Sequence, residues 1–310
     1  MKNVLEWLEA TVAKYPDKPA FSDTESSITF RQVYDIARNT GAYLVEQLGV
    51  DRTPVAVFAG RKMVTPAYFL GVVYAGRPYA PIDASLPDKR IEKILENLCP
   101  GAIVADRESR EHVESIVDEL AKAEGFDRPQ IFIAEDISRF EQVACADSNC
   151  KISESAGDAV TDSENDTDGG VVAGCAGKTD DSSRDMLAVV RRQMSMTDPL
   201  YIIYTSGSTG NPKGVMTSHL SLMTYINAYC DVMHIEESDV LGNQSPLDYI
   251  AAIRDIYLPL KTGCSTAIIP KEYFMEPNAL FDYMNDKKVS SVGWSVSAFT
   301  ILTSLGAFEE

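Results

Sequence analysis

Between Pro54 and Glu135, short apolar runs alternate with stretches of helical periodicity, and that alternation restricts the chain to few architectures. PVAVFAG, YAPID, GAIVAD and QIFIAE read as strands, each too short for a helix. Between them, uncharged Val64–Ala75 predicts a buried helix. Pro87 opens a second with Ile91, Ile94, Leu95 and Leu98 on one face, and 109–123 supplies a third. The pattern resumes with YIIYT, a helix over 218–232, VLGN, a helix over 251–261, STAIIP, a helix over 278–287 and SSVGWSV. Ahead of it all, the N-terminus reads as an amphipathic helix. Thr29 with Gln32 forms a capping box for a helix whose apolar side is Val33, Ile36, Ala37, Leu44 and Leu48, and Gly49 closes it. Strands alternating with helices imply an α/β fold of mostly parallel sheets with helices on both faces.

One stretch breaks the order. Glu141 to Asp185 has almost no large apolar residues and carries eleven acidic against three basic side chains, a net charge of -8. Such a segment buries too little apolar surface to offset its ordering entropy. The expected organisation is therefore a first α/β subdomain over 1–140, an acidic disordered insert over 141–187 and a second α/β subdomain over 188–310.

Charge and patterning exclude several classes. The net charge of -18 repels nucleic acid and anionic membrane surfaces, so neither is expected as a partner and any polyanion must be held locally. Glu6 and Glu9 interrupt the N-terminal apolar stretch, which argues against a signal peptide. The longest uncharged apolar run, Met63 to Gly76, is 14 residues and contains Pro66, too short to cross a bilayer. Six cysteines without a CxxC pair fit reduced thiols in a cytoplasmic protein.

The segment LYIIYTSGSTGNPKGV, residues 200–215, sets an apolar strand before a loop of small and hydroxyl-bearing residues. Such a strand delivers free backbone N–H groups and hydroxyls to the carboxyl edge of a sheet, where ligands of open α/β folds sit. Gly207, Gly210 and Gly214 let the backbone approach an anion closely, Ser206, Ser208 and Thr209 add donors, and Lys213 adds positive charge. The loop reads as a cradle for a polyphosphate. It is neither the GxxxxGK(S/T) loop nor the GxGxxG fingerprint, because Lys213 lies between Pro212 and Gly214 with no hydroxyl after it.

YTSGSTGNPKGV followed by His219 resembles the phosphate-loop signature of the adenylate-forming superfamily, which includes acyl-CoA synthetases, nonribosomal peptide synthetase adenylation domains and D-alanine–carrier protein ligases. ITFRQVYDIARNTGAYL resembles that family's early LTYxEL segment. YAGRPYAPIDASLPDKRI resembles KAGGAYVPIDPSYPxERI of its amino-acid-activating branch. The resemblance implies attack of a carboxylate on the α-phosphate of ATP with Mg2+ present, release of pyrophosphate, and transfer of the acyl group to a pantetheine thiol of a carrier protein or CoA. By the same resemblance Thr205, Ser206, Gly207, Ser208, Thr209, Gly210 and Lys213 would hold the phosphates, with Thr205 and Lys213 nearest the chemistry, and His219 would support the loop.

Two departures qualify it. The family's later motifs for adenine, ribose and the distal lysine are absent, so the chain is expected to be the N-terminal portion of the large domain and incomplete for turnover. A noncatalytic nucleotide-binding remnant is then one alternative. Second, QSPLDYIAAIRDIY resembles the pattern xAPFSFDxSVxDxY, in which the first aspartate pairs with the substrate α-amine, and that position is Ile250 here. An aliphatic side chain cannot hold an ammonium. Either Asp248 takes the amine, or the substrate has none and Arg254 faces an acidic or hydroxylated group, as in an acyl or aryl acid ligase; a degenerate site is a third reading. For Arg254 alone the plain alternative is a solvated helix residue paired with Asp255.

Overall fold

The computed structural model describes residues 2–123, 125–138, 182–205 and 211–308. Helix α1 (Leu5–Lys14) leads into a hairpin of β1 (Pro19–Ser22) and β2 (Ser27–Thr29). Strands of four and three residues leave too little alternation to be read from sequence, and this pair was not expected. Asp23 turns the hairpin by accepting from the Glu25 and Ser26 amides at 3.0 Å each. The capping box then opens α2 (Phe30–Leu48) as expected: Thr29 Oγ1 accepts from the Gln32 amide and Gln32 Oε1 from the Thr29 amide, and Gly49 closes the helix at φ 69°.

The expected alternation follows as β3 (Val55–Phe58), α3 (Thr65–Tyr74), β4 (Tyr79–Pro81), α4 (Asp88–Leu98), β5 (Ala102–Ala105), α5 (Arg110–Leu120) and β6 (Gln130–Ile133), with a short α6 (Ala134–Ile137) behind it. Residues 141–181 of the expected acidic insert lie outside the described residues. Its last six belong to α7 (Ser182–Gln193), where Leu187 and Val190 are buried. Then come β7 (Pro199–Thr205), β8 (Lys213–Ser218), α8 (His219–Met233), β9 (Val240–Asn243), α9 (Ile250–Thr262), β10 (Ser265–Ile268), α10 (Pro277–Asp286), β11 (Ser291–Val292) and α11 (Val296–Ser304).

Two sheets result. One runs β6-β5-β3-β4-β7-β8, parallel except for the antiparallel edge strand β8; the other runs β11-β9-β10-β1-β2, parallel except for β2. Sheet membership crosses the acidic stretch: β7 and β8 join the strands of the first 140 residues, and β1 and β2 join those that follow residue 239. Along β3 the side chains alternate between two cores, as a buried strand requires. Ala56 and Phe58 face α4 and α5, whereas Val55 and Val57 face a core shared with the second sheet and with α1, α2, α3 and α9. Inside the shared core the Tyr79 and Tyr257 hydroxyls meet at 3.1 Å, each satisfying the other where water is excluded. A smaller third core lies under α10 and α11. No helix among the described residues is long and apolar enough to cross a membrane.

Helices α2 and α3 approach closely because each offers a glycine to the other. A Cβ on Gly71 would lie 2.5 Å from Thr40 Cβ, and one on Gly41 would lie 2.5 Å from Tyr74 Cβ. Gly71→Ala should force the helices apart and lower stability by about 1–3 kcal/mol, the usual scale of overpacking. Urea unfolding checks it: the midpoint should fall at unchanged slope.

Candidate functional site

The parallel strands of both sheets release their chains toward one cleft. Ala59, Gly60 and Arg61 arrive from β3, Pro81, Ile82 and Asp83 from β4, and Pro246, Leu247 and Asp248 from β9. The cleft holds about 50 Å³, room for an ammonium group or one or two waters. Ligands of parallel α/β sheets bind at such carboxyl edges.

Beside it, β7 and β8 form the hairpin whose loop carries the glycine-rich segment. Ser206 to Gly210 lie outside the described residues, flanked by Thr205 and Asn211. Thr205 is the last residue of β7 and is exposed, and its hydroxyl donates to the Lys213 carbonyl at 3.4 Å. Lys213 was expected in the loop. It instead opens β8, directly opposite Thr205 in the ladder. Its side chain is exposed, and among the described residues no hydrogen bond or ion pair holds its ammonium.

Helix α4 braces the hairpin from its polar face. Its apolar face, Ile91, Ile94, Leu95 and Leu98, is buried against the sheet, which turns Lys93 and Asn97 outward. Lys93 Nζ donates to Asn211 Oδ1 at 3.2 Å, and the Tyr204 hydroxyl donates to Asn97 Oδ1 at 2.9 Å. Gly214 is required by packing: a Cβ there would lie 2.9 Å from Ile202 Cγ2 and 3.1 Å from Tyr204 Cζ.

His219 stands at the end of β8 remote from Lys213 and is buried, and Ser218 caps the helix that begins there. Its Nδ1 accepts from the Val4 amide at 3.4 Å, so it anchors the N-terminal segment. Burial lowers its pKa to about 4.

The three residues expected to line the substrate pocket are dispersed. Asp248 lines the cleft, where burial and then the charge of Asp83 raise its pKa, opposed by backbone hydrogen bonds and the charge of Arg90. Ile250 opens α9 and is half exposed. Arg254 is neither solvated nor free for a ligand. Its Nε donates to Asp255 Oδ1 at 2.7 Å, its Nη2 donates to the Gly293 carbonyl at 3.3 Å, and its guanidinium lies 5.5 Å from the Tyr229 ring centre. Gly293 leaves the space it fills, since a Cβ there would lie 1.7 Å from Nη1.

Sequence reading missed Arg61, Asp83 and Asn243. The available signal was position: each sits at or just past the carboxyl end of a strand, Asp83 and Asn243 closing runs already read as strands and Arg61 following one directly.

A family model described as AMP-binding enzyme matches residues 8–310. The chain belongs to the AMP-binding enzyme family. Among relatives of this family, the D-alanine–D-alanyl carrier protein ligases of Bacillus licheniformis and Bacillus velezensis are 26% and 27% identical over 284 and 276 residues. The alignments cover 90% and 89% of this chain and 46% and 44% of the ligases, so the chain spans about half their length. The AMPPNP-bound nonribosomal peptide synthetase FmoA3 matches with a TM-score of 0.71 at 19% identity, over 99% of this chain and 27% of that one. The N-terminal domain of FACL13 from Mycobacterium tuberculosis matches with a TM-score of 0.71 at 18% identity, over all of this chain and 67% of that one. The four-domain synthetase AB3403 bound to AMP and glycine gives 0.69 at 18%, over 97% of this chain and 18% of that one. The mostly parallel two-sheet fold is thus the fold of adenylate-forming enzymes.

His219 generates a pH dependence. Its pKa of about 4 in the folded chain lies below the 6.5 of the unfolded one, so between these values the unfolded state binds more protons. Its contribution is present above pH 6.5 and is lost as pH falls, about 3 kcal/mol by pH 4. Urea midpoints of the wild type and His219→Gln between pH 7 and 4 should show the wild type falling more steeply.

Proposed function

We propose that the protein activates an amino acid with ATP as an acyl-adenylate destined for the pantetheine thiol of a carrier protein. The observation that carries this reading is the β7–β8 hairpin, with Thr205 and Lys213 facing each other across the mouth of the glycine-rich loop. In this reading a substrate carboxylate oxygen attacks the α-phosphorus of ATP and pyrophosphate leaves. The exposed Lys213 ammonium, the Thr205 hydroxyl and the loop residues Ser206, Gly207, Ser208, Thr209 and Gly210 receive the charge that gathers on the departing phosphates. The long ammonium arm of Lys213 suits a flexible polyphosphate, because it acts as a point charge. Mg2+ takes its ligands largely from phosphate and water. Among the described residues no group of three or more His, Cys, Asp or Glu side chains could hold a metal ion.

The amine falls to Asp248. It lines the cleft while Ile250 does not, and Asp83 beside it adds negative charge. The carrier-protein ligases that align with 90% of this chain favour an amino acid and a carrier protein in these roles. The chain spans about half the length of those ligases, and the transfer step is proposed on likeness to them. A second reading, activation of an acid without an amine, is favoured by Ile250 at the family's amine-pairing position. Arg254 cannot serve that reading while it is bound to Asp255.

ATP–pyrophosphate exchange by the full-length gene product decides between them, with D-alanine, other amino acids and amine-free carboxylic acids as substrates. Exchange should occur with an amino acid and fall at least tenfold in Lys213→Ala and in Asp248→Asn. Exchange confined to amine-free acids would replace the first reading with the second. No exchange with any acid from folded protein would leave a nucleotide-binding remnant.

A further inference from the structure

A continuous polar chain joins the two sheets at the cleft. Arg61, just past β3, donates from Nη2 to both the backbone oxygen and Oδ1 of Asn243, at 3.2 and 3.3 Å. Asn243, the last residue of β9, donates from Nδ2 to Asp255 Oδ2 at 3.0 Å. The other Asp255 oxygen accepts from Arg254, which in turn binds the Gly293 carbonyl beyond β11. Asn243 and Asp255 are buried, and Thr266 Oγ1 of β10 donates to the Asp255 carbonyl at 2.7 Å. In a low-dielectric interior such a network holds its members in one arrangement.

Arg61 is a costly residue in this place. Its Nε is buried without a hydrogen-bond partner. Its Asn243 contacts are to neutral amide oxygens, and burial lowers its pKa while Glu272 and Asp83 support its charge only from a distance. A half-buried cation without a close counter-ion adds little to stability. What it does supply is geometry. Arg61 lines the cleft from the β3 side, and Asn243 leads within five residues to Asp248, which lines it from the β9 side. The hydrogen bonds between Arg61 and Asn243 join these two strand ends.

We propose that Arg61 is a positioning residue: through Asn243 it sets the separation of the cleft walls, and hence where Asp248 meets the acid, while the nucleotide loop on β7 and β8 does not depend on it. This rests on reading the cleft as the acid site. The two strands of the hairpin take their support from α4, from the neighbouring strand β4 and from their own ladder, with no member of the chain among those contacts.

The experiment uses the full-length protein and three variants, Arg61→Ala, Arg61→Lys and Asn243→Asp. It reads KM for the acid and for ATP by pyrophosphate exchange, urea midpoints, and peptide-level hydrogen exchange over 244–249. Arg61→Ala should raise KM for the acid tenfold or more, change KM for ATP less than threefold, and speed exchange over 244–249 at least tenfold. Arg61→Lys, which keeps a charged donor for the Asn243 oxygens, should recover most of the loss. Asn243→Asp, which sets a carboxylate against Asp255, should reproduce it, and combining it with Arg61→Ala should add little. A purely structural arginine would lower the urea midpoint and leave KM for the acid in the folded fraction unchanged; that outcome, or equal rises in both KM values, overturns the proposal. A wild type that exchanges with no acid sinks the acid-site reading alone. The hydrogen-exchange measurement then still decides the clamp, and unchanged protection over 244–249 in Arg61→Ala would end it.

Discussion

The rest of the structure depends on the burial of two mostly parallel sheets against one helical layer. Strands such as β3 are covered on both faces, so their residues are apolar at consecutive positions and their backbone polar groups are consumed within the ladders. Helices α2 and α3 can fill the layer only by approaching to glycine distance, and the Tyr79–Tyr257 hydroxyl pair ties α9 to the β4 strand through it. Once the sheets share that core, their carboxyl ends open on the same cleft. The hairpin of the glycine-rich segment and the β9–α9 turn belong to strands that this packing brings into the two sheets.

Buried charge in the molecule follows a related rule. Arg77 is fully buried next to β4, where it donates to the carbonyls of Leu48, Gly49 and Thr53 and pairs with Asp51, closing the end of α2. Asp106 accepts from the Gly60 and Ser109 amides at 2.9 Å each and pairs with Lys62, fixing the turn that carries Arg61. Both spend their charge on loose backbone ends at strand and helix termini. Arg61 and Arg254 extend the pattern across the interface, so the site is framed by residues that never need to touch a substrate.

The two halves of the proposed site differ in how they could be recognised. Thr205, Lys213 and the glycines between them are contiguous, and a phosphate cradle is built from backbone and short side chains of one segment. The cleft is assembled from three strand ends, at residues 59–61, 81–83 and 246–248, the last more than 160 residues beyond the other two. Spacing within QSPLDYIAAIRDIY placed Asp248, Ile250 and Arg254 together on paper. A helix start after Tyr249 separates them in space: Ile250 turns outward, and Arg254, one turn on, falls against Gly293 and Asp255.

The sequence by itself determined the α/β class, the alternation through residue 135, the capping box at Thr29 and the strand that runs into the glycine-rich segment after Thr205, because each follows from periodicity or turn chemistry within one short window. It was silent on β1, β2, β8 and α11, whose short or polar segments acquire their identity only from a neighbour to pair with or a core to cover. Which strands share a sheet, and that Arg61 bonds to Asn243 at a separation of 182 residues, were decided by tertiary structure alone. Local propensity carries no information about a contact whose two sides are brought together only when a shared core is buried.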